Sequence, residues 1–154
     1  MRPLLLDTIV LLWWLAGDGR LDMALVHRIR LGKQRVYVSV ASAWEICALE
    51  REGQVSFEKP ARDCLPAALS AHLLEWLPID YRHVFLAQQL PRDTLDPYDR
   101  LILAQASVEG VAALAGLDLD MLGNDLDALS LAEPGDGFPL RLDAQTGLSL
   151  LRRR

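Results

Sequence analysis

Three acidic residues stand where the chain is expected to pass from a strand or loop into a helix. Asp7 follows Leu4–Leu6, an unbroken apolar run that is typical of a strand buried on both faces of a parallel sheet. Glu45 and Asp99 each lie near the start of a predicted helix. Ligands of open α/β sheets bind beyond the carboxyl ends of the strands, so Asp7 is a candidate site residue.

A helix cap is the alternative explanation for each of these acids. Asp is a common N-cap, so Asp7 could stabilise the helix that follows it. Ser42-x-x-Glu45 and Asp96-x-x-Asp99 both resemble capping boxes, with the acid at the third helical position. Capping explains each acid singly, but it does not explain why three acids occur at such junctions.

Further acids follow another candidate strand. Asp118 and Asp120 come shortly after residues 111–114, and Asp118 would lie near the carboxyl end of that strand. Carboxylates forced together repel, which raises some of their pKa values unless a cation neutralises them. A group of carboxylates without His or Cys suits Mg²⁺ or Mn²⁺. Such ions typically serve phosphoryl chemistry, where they generate hydroxide from water and stabilise a charged transition state.

The other residue types with chemical potential carry weaker signals. His27, His72 and His83 share no metal-ligand spacing, and we interpret them as surface or helix-face histidines. The chain has four tryptophans, Trp13, Trp14, Trp44 and Trp76. We interpret these as core or interface aromatics and not as base-stacking platforms.

Strand-like and helix-like segments alternate along the chain. The predicted strands are residues 4–6, 35–40 and 111–114, with a short extended piece at 77–79. The predicted helices are residues 9–14, 21–29, 42–52, 67–76, 81–89 and 96–109. This alternation favours an α/β domain with a central, mostly parallel sheet flanked by helices.

The composition is that of one soluble domain. The chain has 154 residues, and a chain of this length buries about 68–70% of its unfolded surface without needing disulfides or a metal. Hydrophobic residues make up 51% and charged residues 24%, which excludes bulk disorder. The net charge of −5 excludes a strongly basic nucleic-acid footprint averaged over the chain.

Cysteine usage and hydropathy predict a soluble cytoplasmic protein. Cys47 and Cys64 are too few for a disulfide scaffold and form no CxxC pair, which indicates a reducing compartment. The longest apolar stretch, residues 9–16, is far short of the about 20 residues that a membrane-spanning helix needs. We therefore expect no membrane association.

Three blocks of the sequence resemble the PIN-domain family and, within it, the VapC-like toxins of bacterial type II toxin–antitoxin modules. The first block is LLLDT at residues 4–8, followed by LLWWLAG at residues 11–17. The second is VSVASAWEI at residues 38–46. The third is LP at residues 90–91 and then DPYDRLILAQA at residues 96–106. The blocks keep the family's order, and the third is the most specific.

The resemblance implies a fold, an activity and partners. It covers residues 4 to about 125 of what we expect to be a single domain, residues 1–154. It implies a PIN fold and a Mg²⁺- or Mn²⁺-dependent endoribonuclease toxin that hydrolyses RNA phosphodiester bonds. It also implies a partner antitoxin that inhibits by wrapping the active site, and often a homodimer. Asp7, Glu45 and Asp99 match the family's metal-binding, catalytic acids.

The fourth acidic block departs from the family pattern. The family usually reads Leu-Val-Thr-x-Asp, whereas this chain has LAGLD at residues 114–118, with the acid one residue late. Asp118 is the predicted fourth metal-binding and catalytic acid, with Asp120 as the reserve. Ile9 and Thr94 also stand where the family often has His. These departures leave open a second function, a catalytically weakened PIN-like domain that binds RNA or an antitoxin.

Overall fold

Four short strands form a parallel sheet at the centre of the protein. The computed structural model describes residues 3–114, apart from 18, 20, 22, 91, 93 and 94. The strands are β1 (Leu4–Leu6), β2 (Val36–Ser39), β3 (Leu74–Leu77) and β4 (Ala112–Leu114). They pair in the order β3-β2-β1-β4, and every pairing is parallel. The predicted α/β class with a central parallel sheet is therefore confirmed.

Six helices connect the strands within the described residues. They are α1 (Thr8–Ala16), α2 (Met23–Arg30), α3 (Val40–Arg51), α4 (Ala61–Ala71), α5 (Tyr81–Ala87) and α6 (Pro97–Glu109). None of these helices combines the length and the apolar character that crossing a bilayer requires.

The central strand β1 explains why three leucines stand side by side in the sequence. Successive side chains of a strand point to opposite faces of the sheet. Leu4 and Leu6 accordingly pack into one core cluster with residues of α1, α3 and α4. Leu5 packs into a second cluster with residues of α6 on the other face. Both faces of β1 are covered, so every position in this strand must be apolar.

The register of the sheet brings three strand ends to the same level. Leu6 pairs with Val38 of β2 on one side and with Leu114 of β4 on the other. Asp7 is the next residue and therefore stands at the carboxyl edge of the sheet, between two neighbouring strand ends. The chain runs from β1 through β2 to β3 on one side of β1 and then crosses back to β4 on its other side. Ligands of α/β sheets bind at this type of switch point.

Two predictions about element boundaries are wrong. Helix α3 begins at Val40 with Ser39 as its N-cap, whereas the sequence predicted a start at Ser42. The predicted helix over residues 67–76 is in fact α4, which ends at Ala71, followed by strand β3. Leu73 adopts a left-handed φ of 60° between them and so breaks the helical path.

Candidate metal centre

Asp7 is both the cap of a helix and the end of the central strand. Its side chain accepts a hydrogen bond from the backbone N–H of Val10 over 2.8 Å, which makes it the N-cap of α1. The capping interpretation is thus confirmed. It does not displace the functional one, because Asp7 is only 3% exposed and its carboxylate remains fixed at the carboxyl edge of the sheet.

Glu45 has no capping role. Since α3 begins at Val40, Glu45 lies beyond the first helical turn, and the predicted capping box with Ser42 is wrong. The Thr8 hydroxyl instead donates to Oε2 of Glu45 over 2.6 Å. The hydroxyl oxygens of Thr8 and Ser42 lie 3.0 Å apart. Both hydroxyls are buried, and the bond from Thr8 holds the Glu45 carboxylate close to Asp7 in the chain fold, since Thr8 directly follows Asp7.

Asp99 lies in the first turn of α6, where its neighbour Asp96 caps the helix. The Asp96 carboxylate accepts from the backbone N–H of Asp99 over 2.8 Å. Pro97 occupies the first helical position, where its missing N–H is harmless. Capping therefore belongs to Asp96, and the side chain of Asp99 is left to face the other acids.

The electrostatics show that these acids converge. The pKa of Glu45 is raised to about 7, mainly by burial and also by the negative charges of Asp96 and Asp7, while the hydrogen bond from Thr8 opposes the rise. Burial also raises the pKa of Asp99 to about 9, with the charges of Asp96, Asp7 and Glu45 adding to it. The charges that act on Glu45 and Asp99 within the described part of the chain are thus those of carboxylates.

Asp96 is the member of this acidic cluster (Asp7, Glu45, Asp96 and Asp99) that the sequence did not predict. The spacing Asp96-x-x-Asp99 was explained by capping alone, and Asp96 does cap α6. Its charge nevertheless acts more strongly than that of Asp7 on both Glu45 and Asp99.

The predicted fourth acid is not among the described residues. Asp118 and its reserve Asp120 both lie outside the described residues. Strand β4, which ends at Leu114 beside β1, points the chain toward the same edge of the sheet as Asp7.

A buried polar junction holds α6 in position to present Asp99. The Nε2 amide of Gln105 donates to the backbone oxygens of Leu77 and Pro78, each over 3.0 Å. The Ser39 hydroxyl donates to the Oε1 atom of Gln105. Ser39 also accepts from the backbone N–H of Ala41 and so caps α3. One fully buried glutamine therefore links α6 to the carboxyl ends of β2 and β3.

A second group of metal-ligating residue types lies elsewhere, at the other end of α6. Ligand atoms of Asp80, His83 and Glu109 all lie within 4.8 Å of one another. Both ring nitrogens of His83 are already engaged, because Nδ1 accepts from the backbone N–H of Asp80 (2.9 Å) and Nε2 donates to Glu109 (2.8 Å). The Arg82 guanidinium also lies 3.0 Å from the same Glu109 oxygen.

This second group is therefore better suited to joining helices than to holding a cation. The Arg82 guanidinium already forms ion pairs with both carboxylates, and its hydrogen bond holds the pKa of Asp80 down at about 2. His83 is 1% exposed and completes a capping box at the start of α5. No local sequence pattern predicts this group, because His83 and Glu109 are far apart in the chain.

The chain belongs to the PIN-domain family, whose family model matches residues 4–123. PIN domains are generally metal-dependent nucleases. This match confirms the resemblance inferred from the three sequence blocks. Among curated proteins, none matches the chain significantly.

Two solved structures share the fold. One is VapBC2 from Rickettsia felis bound to a DNA fragment from their promoter, with a TM-score of 0.58 and 13% identity over 79% of this chain and 93% of that one. The other is DNA-bound VapBC from Salmonella typhimurium, with a TM-score of 0.52 and 18% identity over 93% of this chain and 97% of that one. The likeness is to a VapC-like form of the PIN fold.

Proposed function

We propose that the protein is a Mg²⁺- or Mn²⁺-dependent endoribonuclease that hydrolyses RNA phosphodiester bonds. The observation that carries this proposal is the acidic cluster, in which the charges of Asp7 at the end of β1 and of Asp96 before α6 act on both Glu45 of α3 and Asp99 of α6. Buried like charges are costly unless a cation neutralises them. An all-oxygen donor set of this kind fits a hard divalent ion.

The acids share one role in this proposal. Asp7, Glu45 and Asp99 would hold the cation, with Asp118 as the proposed fourth acid. When bound, the cation supplies a low-pKa water and stabilises charge on the phosphate. The Thr8 hydroxyl orients the Glu45 carboxylate.

The test is calorimetric titration of Mn²⁺ into the purified chain, paired with cleavage of single-stranded RNA with Mn²⁺ or with EDTA. Wild type is expected to bind Mn²⁺ and to cleave only with the metal, and Asp99→Asn to lose both. The matched control is Glu109→Gln, which removes a carboxylate from the opposite end of the same helix and is expected to change neither.

Two results would contradict this assignment. If Glu109→Gln lost Mn²⁺ binding and Asp99→Asn kept it, the metal would belong at the Asp80–His83–Glu109 group. If wild type bound Mn²⁺ and RNA without cleaving, the alternative of a catalytically weakened RNA- or antitoxin-binding module would replace the nuclease.

We further propose that this nuclease is the toxin of a type II toxin–antitoxin pair, that it acts in the cytoplasm and that it forms a homodimer. The support is the resemblance to VapC-like toxins and the shared fold with the two VapBC structures. Induced expression in a bacterial host is expected to arrest growth, whereas Asp99→Asn expressed to the same level is expected to leave growth unchanged. Growth unaffected by wild type would contradict the toxin assignment.

The proposed homodimer has its own test. Light scattering of the purified protein is expected to give twice the mass of one chain.

A further inference from the structure

One tryptophan is exposed to solvent beside the acidic cluster. Trp44 is 59% exposed, whereas Trp13 and Trp14 are 0% and 6% exposed. Of the predicted core or interface tryptophans, Trp13 and Trp14 lie in the core, whereas Trp44 does not. A large aromatic side chain that stays exposed does not contribute the stabilisation that burial would provide. Trp44 is therefore a candidate binding residue.

The Trp44 ring is held in place by Tyr98. The ring centroids are 4.9 Å apart and the planes are inclined by 73°. Such an edge contact is a favoured aromatic geometry, and it leaves at least one face of each ring outside the contact. The pair thus offers a flat apolar face whose orientation is fixed by a neighbour.

The aromatic pair and the acids span the same two helices. Trp44 directly precedes Glu45 on α3, and Tyr98 directly precedes Asp99 on α6. The charge of Glu45 acts on Asp99, and the contact between the two rings joins the same two helices. The exposed ring therefore lies where α3 contacts α6, on the two helices that also carry Glu45 and Asp99.

We propose that Trp44 stacks on an unpaired base of single-stranded RNA next to the phosphate that is cleaved, which rests on the proposed ribonuclease function. The acidic cluster and the net charge of −5 repel phosphates. An aromatic face adds affinity that does not depend on positive charge, because every base has a π-face and stacks with little sequence preference. Trp44 thus makes the site selective for unpaired RNA.

Binding of a short single-stranded RNA of mixed sequence tests this proposal. The binding buffer contains Ca²⁺, which carboxylate oxygens ligate, to neutralise the acidic cluster. Gel electrophoresis checks that the RNA stays intact during the measurement. Trp44→Ala is expected to weaken binding about tenfold to a hundredfold, as for the loss of one base–aromatic stack. Trp44→Phe keeps a stacking face and should retain most of the affinity. Melting temperatures of both variants confirm that they are folded.

The matched control is Phe85→Ala. Phe85 is 66% exposed and also makes an edge contact, with Tyr81 at 6.0 Å. Phe85 lies on α5, and His83 of the same helix contacts Glu109 at the end of α6. Glu109 is ten residues beyond Asp99 and so about 15 Å further along α6. This variant removes an equivalent ring far from the acidic cluster and is expected to bind RNA like wild type.

A scan of abasic positions in the RNA locates the stacked base. At one position, removal of the base should weaken binding to wild type and have no further effect on Trp44→Ala, because the same contact is already lost. A duplex of the same sequence should not distinguish wild type from Trp44→Ala.

The outcomes separate this proposal from the nuclease assignment. If Trp44→Ala bound RNA as tightly as wild type, or if every abasic loss persisted in Trp44→Ala, stacking would be overturned even where Mn²⁺-dependent cleavage is intact. If wild type showed the Trp44-dependent base contact but failed to cleave with Mn²⁺, the nuclease assignment would fail and stacking would stand.

Discussion

At the scale of single residues, Asp7 combines a structural and a chemical role that one substitution can separate. Asn is as good an N-cap as Asp, so Asp7→Asn should keep the bond from Val10 and remove one negative charge from the acidic cluster. We expect unfolding in the absence of metal at or above the wild-type temperature, together with loss of Mn²⁺-dependent RNA cleavage.

Asp7→Ala is the control for the cap. It should also lose cleavage, and loss of the cap should lower the free energy of unfolding by about 0.5–2 kcal/mol. Thermal unfolding in EDTA compares the variants. If Asp7→Asn unfolded as early as Asp7→Ala yet cleaved RNA normally, Asp7 would be structural only.

Thr8 is predicted to tune the affinity of the cluster for metal. Thr8→Val keeps the shape of the side chain but removes the hydroxyl that donates to Glu45, so the pKa of Glu45 should rise further. Loss of such a supporting contact typically costs about 10- to 100-fold in metal affinity. Thr8→Ser, which retains the hydroxyl, should bind Mn²⁺ like wild type in the same titration. Equal affinity of Thr8→Val and Thr8→Ser would contradict this role.

How far the sequence predicts the site depends on whether a residue has competing local explanations. Asp7, Glu45 and Asp99 were identified by their positions and by the family resemblance, and they do converge. Asp96 was missed because its capping role, which is real, accounted for it completely. The local pattern does not tell whether Ser39 or Ser42 caps α3, because both serines suit an N-cap. In the structure Ser39 accepts from the backbone N–H of Ala41, and Ser42 contacts Thr8 instead.

At the scale of elements, the Gln105 junction should control the position of α6. Gln105→Leu fills a similar volume but leaves the backbone oxygens of Leu77 and Pro78 without this partner. Each buried polar group left unpaired costs about 1–3 kcal/mol, so urea unfolding should show a loss of that size or more. Cleavage should fall as well, because α6 carries Asp99.

The control for this prediction is Gln88→Leu. Gln88 is exposed, and its side chain accepts only a surface contact from Arg92 among the described hydrogen bonds. Surface substitutions of this kind usually change stability by less than about 0.5 kcal/mol. Equal stability of Gln105→Leu and Gln88→Leu would show that the junction contributes little.

The elements themselves were predictable where their local signals agreed with the final packing. β1 is a continuous apolar run, which predicts a buried strand. α6 begins with the N-cap Asp96 and Pro97 and ends at Gly110, so its bounds follow closely from the sequence. β3 was missed because Leu69, Leu73 and Leu74 suit one face of a helix. Parallel pairing with β2 along Leu74–Leu77 outweighs that local preference, and such pairing leaves no trace in a local pattern.

At the scale of the whole molecule, assembly of the acidic cluster opposes folding in the absence of metal. The acids come from distant parts of the chain and meet only because β1 is central in the sheet. Their mutual repulsion is absent from the unfolded chain. Metal binding and folding stability should therefore be coupled, because an ion that binds only the folded state stabilises it by mass action.

The pH dependence of stability follows from this coupling. In the folded protein the pKa values of Glu45 and Asp99 are raised to about 7 and about 9, so folding takes up protons that the unfolded chain has released. Their stabilising contribution is complete below about pH 4, near the ordinary carboxyl values. It is lost as the pH rises through the folded values. We therefore expect the melting temperature in EDTA to fall between pH 5 and pH 9.

Two comparisons make this prediction specific to the acidic cluster. Mn²⁺ should reverse the loss at high pH, by about 2.7 kcal/mol when its concentration is a hundred times the dissociation constant, and Asp99→Asn should flatten the upper part of the EDTA curve. Asp80 affects stability in a different pH range, because its hydrogen bond with Arg82 lowers its folded-state pKa to about 2. Its contribution to stability is therefore lost only as the pH falls below about 4. A metal-free melting temperature that rose steadily from pH 5 to pH 9 would show that the acids do not repel one another in the folded state.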